Sequence, residues 1–252
     1  MNILPDRTEL GLGWRPSPPD IRDWKPETLR AMIRLQVARP VSWAMPPGLW
    51  LAQGHTQHCV GFLGAGFIAA EGSQSPIDIT VNDQLGHALY YEAKVYDGDP
   101  GGEEGSCLRS LAKALKQRGV IDAYSITNDF VACDNWVDTW GCVGLGIWWY
   151  ESMFEKDANG IIYPVGPKSG GHAILWRAKD QEYDNVLRNS WGQAWGECSI
   201  SDRNLAALLS DRGEALLAVK LAAHYTPSPV RKLCRFGRAM QLRKYTRIGR
   251  RV

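Results

Sequence analysis

Several things are missing from this chain, and each absence narrows its function. Six cysteines stand at 59, 107, 133, 142, 198 and 234, but no two form a C-x-x-C pair, so the spacing of a zinc site is absent. The N-terminus, Met1 to Arg7, has neither a basic n-region nor a long apolar h-region, so no secretory signal is expected. The longest apolar run, around residues 60–70, is too short and too rich in Gly and Ala for a membrane span. Reduced cysteines in a cytoplasmic compartment are the expectation that follows. Internal repeats are lacking. Acidic residues are lacking from 225–252, which carries nine Lys/Arg and leaves residues 1–224 at a net charge of −7.

What is present suits an ordered fold. At 252 residues with 44% hydrophobic side chains, the chain fills one domain or two closely packed lobes. Eleven tryptophans suit a core or a lined groove. Residues 1–50 are punctuated by Pro16, Pro18, Pro19, Pro26, Pro40, Pro46 and Pro47. They read as an extended arm over the body, anchored by Trp14, Trp24, Trp43 and Trp50, with a short helix over 27–36. Residues 51–120 read as helical: a buried helix over 59–71, a second over 87–96, and a third, capped by Ser106, over 108–118 and stopped by Gly119. Beyond Gly119 the pattern turns to strands, at 142–149, 161–165, 170–176 and 214–221, with a helix at 201–210. A helical half (51–120) followed by a β-rich half (121–224) predicts an α+β fold of two lobes with a cleft between them.

Chemistry concentrates at Gln53-Gly54-His55-Thr56-Gln57-His58-Cys59. A thiol in the first turn of a helix feels the positive end of the helix dipole, which favours the nucleophilic thiolate. Gln53 places an amide donor six residues upstream. Of the five histidines, His172 stands out as base candidate: it follows Gly170-Gly171 and opens a strand. Asn189, in Asn189-Ser190-Trp191-Gly192, can accept the imidazole N–H through its amide oxygen, and Trp191 can shield that bond from water. His58, beside the thiol, is a rival base, although a neighbour on a helix start points elsewhere.

Cys59, His172 and Asn189, with the spacing Gln53-Gly54 to Cys59, Gly171-His172-Ala173 and the run Asn189–Gly196, resemble the papain-like cysteine peptidases over roughly residues 10–221. Leu12-Gly13-Trp14-Arg15-Pro16 with Pro19–Asp23 is similar to the leading segment of bacterial and phage members. The resemblance implies a helical N-terminal lobe, a barrel-like C-terminal lobe and no cofactor or metal. It implies a nucleophile in Cys59, oxyanion donors in the Gln53 amide and the Cys59 N–H, and an acid–base in His172 oriented by Asn189. Gly105, Ser106, Gly171 and Trp191 become substrate-binding residues for a peptide or protein. Thr56-Gln57-His58 and Val60 depart from the family, which usually has Cys-Gly-Ser before the nucleophile and Trp after it. With only 58 residues before Cys59, control by a removable N-terminal domain is not expected, beyond partial cover of the groove by the arm.

Pro227-Ser228-Pro229 marks a boundary before the basic tail. Arg231 to Arg251 alternate with apolar residues and suit docking on an acidic protein partner or a large assembly, or, as a lesser reading, nucleic acid. Two alternatives to a peptidase remain at this stage. One is a papain-fold structural or adaptor component of a phage virion, which would also change its location. The other is a peptidoglycan amidase of the wider thiol-hydrolase group, against which Asn189–Gly192 argues.

Overall fold

Helix α2 (Cys59–Ala69) buries ten consecutive residues, Cys59 to Ile68, so every face of it meets other structure. A helix enclosed on all sides tolerates glycine because close approach replaces propensity. A Cβ at Gly61 would lie 2.2 Å from the Gly86 carbonyl oxygen and 2.4 Å from the Tyr90 nitrogen, both in helix α3 (Asp83–Asp97). Gly61→Ala is therefore expected to force α2 and α3 apart and cost about 3 kcal/mol, read as a lowered denaturant midpoint. The computed structural model describes residues 10–32, 43–70, 79–179 and 185–219.

Helix α1 (Pro26–Met32) lies in the N-terminal arm. Helix α3 begins four residues before the expected start, because Asn82 accepts from the Leu85 N–H at 2.9 Å and caps it. Gly98, at φ +76°, ends it in the left-handed conformation. Helix α4 (Leu108–Gln117) turns Leu108, Leu111, Ala112 and Leu115 into the core. Its cap differs from expectation: Cys107 holds the N-cap position without a side-chain capping bond, and the buried Ser106 hydroxyl makes no hydrogen bond.

The remaining elements are β1 (Ala123–Thr127), α5 (Phe130–Thr139), β2 (Val143–Tyr150), a 3-10 turn (Glu151–Phe154), β3 (Lys168–Ala178), β4 (Asn185–Arg188), α6 (Gly192–Trp195), β5 (Glu197–Ile200), α7 (Asp202–Ser210) and β6 (Glu214–Val219). The strands form an antiparallel sheet in the order β1-β6-β2-β3-β4-β5. Residues 161–165, expected as a strand, make only one bridge, Ile161 to Ser199. Pro164 has no N–H to give a ladder, and the Val165 N–H turns to the Tyr163 carbonyl and the Ser152 hydroxyl. Helix α2 packs on α3 and on β3, so one continuous core joins the helices to the sheet.

Of the four anchoring tryptophans, Trp14 and Trp43 are buried, Trp50 lies under the Arg188 guanidinium, and Trp24 is exposed. The basic tail, Cys234, the end of the 27–36 helix and residues 220–221 of the last strand lie outside the described residues. Among the described residues no disulfide forms, no cluster of metal-binding side chains occurs, and no helix is long and apolar enough to cross a membrane.

Candidate active site

Three elements converge on Cys59. It is the first residue of α2 and is fully buried. The backbone N–H groups of Ala173, Val60, Gly13 and Cys59 itself lie against its sulfur, and Ala173 is the residue after His172 on β3. Burial nevertheless dominates and pushes the thiol up to about 12, with those N–H groups pulling it down. Cys142, equally buried, is also pushed up to about 12 but has only its own N–H beside it. The ring of donors around Cys59 is what distinguishes it.

His172 is fully buried on β3, and its Nε2 lies 2.8 Å from Asn189 Oδ1. The Ser190 N–H donates to the same Oδ1 at 2.8 Å, which fixes the amide orientation. His172 Nε2 is therefore the protonated nitrogen, and Nδ1, buried without a partner, keeps its lone pair. Trp191 stacks on the imidazole at 4.6 Å and Trp149 meets it edge-on at 4.9 Å. This aromatic enclosure lowers the imidazole to about 4 by burial, against the opposing effect of Asn189. Thiol and imidazole are thus both neutral in this state.

A depressed histidine has a definite consequence for stability. Below its ordinary value of 6.5, the unfolded chain takes up a proton that buried His172 refuses until about pH 4. This contribution is fully present above pH 6.5 and is lost, by about 1.4 kcal/mol per pH unit, as the pH falls toward 4. Denaturant titrations at pH 7 and pH 5 should show the loss, and His172→Gln should flatten it.

Gln53 lies on the chain just before α2, tied to the Asn189 segment. Its backbone N–H donates to the Ser190 carbonyl at 2.8 Å, and its Oε1 accepts from the Ser190 hydroxyl at 2.6 Å. Its Nε2 donates to the Thr56 carbonyl at 2.8 Å and to the Gly11 carbonyl at 3.0 Å. Trp191 Nε1 also donates to the Gly11 carbonyl, at 3.2 Å. The amide expected to serve an oxyanion is thus occupied by the N-terminal arm.

The arm goes well beyond partial cover. Leu10–Arg15 threads between the Gly105–Ser106 loop and β3. The Ser106 N–H donates to the Gly13 carbonyl at 2.8 Å, and the Arg15 N–H donates to the Ser106 carbonyl at 2.8 Å. The N–H groups of Gly13 and Trp14 both reach the Gly171 carbonyl at 2.9 Å. The alternation Leu10-Gly11-Leu12-Gly13-Trp14 makes the passage feasible. A Cβ at Gly11 would lie 1.8 Å from the Thr56 carbonyl oxygen, and one at Gly13 2.1 Å from that of Gln57. That glycine alternation is the sequence signal for the threading.

Gly105, Ser106, Gly171 and Trp191 therefore all contact a peptide strand, and the strand is the protein's own. His58 points away from Cys59, as expected for its neighbour. Its Nδ1 lies 2.7 Å from His87 Nδ1, its Nε2 lies 2.8 Å from Glu103 Oε2, and its ring stacks on Tyr90. Sequence reasoning also missed two buried charges beside this loop. Lys94 donates to the Gly105 carbonyl at 3.1 Å, and Glu214 receives the indole N–H of Trp14 at 3.0 Å.

The chain has the papain-like fold. It is similar to xylellain, a cysteine protease from Xylella fastidiosa, with TM-score 0.59 and 18% identity over 87% of this chain and all (100%) of that one. It is also similar to the proform of the Amb a 11 cysteine protease, a major ragweed pollen allergen, with TM-score 0.52 and 12% identity over 85% of this chain and 67% of that one. No family model matches the sequence, and no curated protein matches it.

Proposed function

We propose that the protein is a thiol-dependent peptidase that cleaves peptide bonds through an acyl-enzyme, with Leu10–Trp14 closing its cleft until displaced. The observation that carries this is the Cys59–His172–Asn189 set: a thiol at a helix start with the Ala173 N–H acting on it, and, one residue before Ala173 on the same strand, a histidine whose Nε2 is pinned by Asn189. In the helical lobe Cys59 supplies the nucleophile, in the β-rich lobe His172 supplies the base, and a substrate strand lies between them along Gly105–Ser106 and Gly171.

The chemistry follows from those atoms. His172 Nδ1 takes the thiol proton, and the thiolate adds to the substrate carbonyl. The Cys59 N–H and Gln53 Nε2, released from Gly11, hold the oxyanion. Imidazolium returns its proton to the leaving amine, and water, deprotonated by His172, then frees the acyl group. Asn189 keeps the ring aligned, and Trp191 keeps water from the Asn189 bond.

With the arm in place this sequence cannot begin. Both reacting groups are buried and neutral, and the arm fills the cleft, its Gly13 and Trp14 N–H groups bonded to the Gly171 carbonyl. The enclosed site is also what favours the second reading, a papain-fold component retained for binding within a large assembly. Hydrolysis of a casein or peptide-amide substrate by arm-released protein separates the two. Turnover supports the peptidase, and its absence with an accessible Cys59 supports the binding component. Location in the cytoplasm or in a virion, and docking through residues 231–251 on an acidic partner, remain proposals of the sequence alone.

A further inference from the structure

The Lys94 side chain is 0% exposed, although it ends in a charge. It belongs to the last turn of α3, and its backbone carbonyl accepts the Asp99 N–H at 3.1 Å, which fixes where the next loop starts. Its Nζ pairs with Asp99 Oδ2 at 2.8 Å and with Asp97 Oδ2 at 3.8 Å. These two carboxylates answer the charge of a buried ammonium. The third partner is the Gly105 carbonyl, at 3.1 Å.

That third bond decides what the loop shows to the cleft. Gly105 stands at φ +72°, and a Cβ there would lie 2.0 Å from the Gly13 carbonyl oxygen, so bare backbone faces the strand in the cleft. The Gly105 carbonyl and the Ser106 N–H belong to one trans peptide unit, in which the two groups point in opposite directions. Lys94 draws the carbonyl into the body, and the N–H is thereby turned to the cleft, where it donates to the Gly13 carbonyl at 2.8 Å. Rotation of this one peptide would set a carbonyl against a carbonyl. Glycine allows such rotation at little cost, so something must hold it. A charged donor holds a carbonyl more firmly than a neutral one, and it polarises the peptide so that the N–H donates better.

The loop has two other ties, and neither holds the Gly105 carbonyl. His58 Nε2 lies 2.8 Å from Glu103 Oε2, but the Glu103 side chain is 62% exposed and water competes for it. The Tyr90 hydroxyl donates to the Gly102 carbonyl at 3.0 Å.

We infer that Lys94 is a positioning residue for the groove. It locks the Gly105–Ser106 peptide so that the Ser106 N–H meets a backbone carbonyl of the strand in the cleft, whether arm or substrate. The inference rests on the peptidase reading only in giving that place to a substrate, and its claim about binding needs no catalysis.

The test uses the full-length chain carrying Gly13→Leu to expel the arm and Cys59→Ala to prevent turnover. The probe is a fluorescent peptide with the sequence of residues 8–20, titrated by anisotropy. A second probe has a trans-alkene in place of its own Gly13–Trp14 peptide bond. The alkene keeps the shape but removes the carbonyl that Ser106 meets, together with the N–H that Gly171 accepts. The expected result is that Lys94→Met weakens the first probe roughly 10-fold and leaves the second unchanged. Lys94→Met also deprives Asp99 of its cation, so Lys94→Met with Asp99→Asn is measured beside it. Its melting temperature should recover while the loss of affinity stays. No loss, an equal loss for both probes, or a loss that vanishes as stability recovers overturns the inference. So does failure of the first probe to bind the chain that keeps Lys94. Failure of the peptidase reading shows separately, as an arm-released protein with Cys59 intact that cleaves no peptide while the two probes still differ.

Discussion

Cys59→Ala, made in an arm-released background, is expected to abolish peptide hydrolysis, with a loss of roughly 10⁴-fold or more. The size follows from what the thiol does. Without it no acyl-enzyme forms, and the donors around the sulfur have nothing to activate. His172→Ala should cost about as much, since a thiol at about 12 is not ionised near neutral pH without a base to take its proton. The double variant should be no worse than either single one, because the two act as a unit. Folding should survive, as Cys59→Ala removes one buried sulfur, a weak acceptor for the N–H groups around it, and no charged or side-chain hydrogen bond. Unchanged circular dichroism and a near-native melting curve are the controls. Additive losses would mean that Cys59 and His172 do not work on the same step.

The second large effect concerns the arm. Trp14→Ala should raise the rate at which a peptidyl epoxide labels Cys59 by roughly 100-fold or more. Truncating a buried tryptophan costs about 3–5 kcal/mol of packing, here removed from the closed state alone. The indole N–H bond to Glu214 goes with it. Gly13→Leu should act in the same direction by a different cause, since a Cβ there would meet the Gln57 carbonyl oxygen at 2.1 Å. The two substitutions share no contact except the arm itself. Agreement between them, read by stopped-time labelling and mass spectrometry, would tie the effect to displacement. Labelling of the unaltered chain as fast as of both variants would show that the arm already leaves freely.

Several helices were legible because they rest on local signals. The Gly/Ala run of α2, the amphipathic face of α4 and the Ser201 cap of α7 each declare an element without distant information. The sequence order Cys59, His172, Asn189 was legible through its resemblance, and the His172–Asn189 bond appears as expected from residue types. Strand β1 and helix α5 were not foreseen, since Ala123–Thr127 is set by pairing with β6 at the far end of the chain. The same limit hid the path of the arm through the site, though the arm itself was expected. Leu10-Gly11-Leu12-Gly13-Trp14 shows its purpose only beside Thr56, Gln57, Ser106 and Gly171. Glu214 was invisible for the same reason: one acidic residue at a strand start says nothing until Trp14, 200 positions away, is found resting on it.

The central claim is that Cys59 is a nucleophile shut in by the protein's own N-terminal segment. One measurement addresses both halves of it: intact-mass and peptide-mass analysis of the full-length protein, unaltered and as Gly13→Leu, after exposure to a peptidyl epoxide under reducing conditions. The account predicts a single adduct on Cys59, slow in the unaltered chain, fast in the variant, and lost from the variant with His172→Ala. An arm-released protein whose Cys59 stays unmodified, or reacts no faster than Cys107, would contradict it.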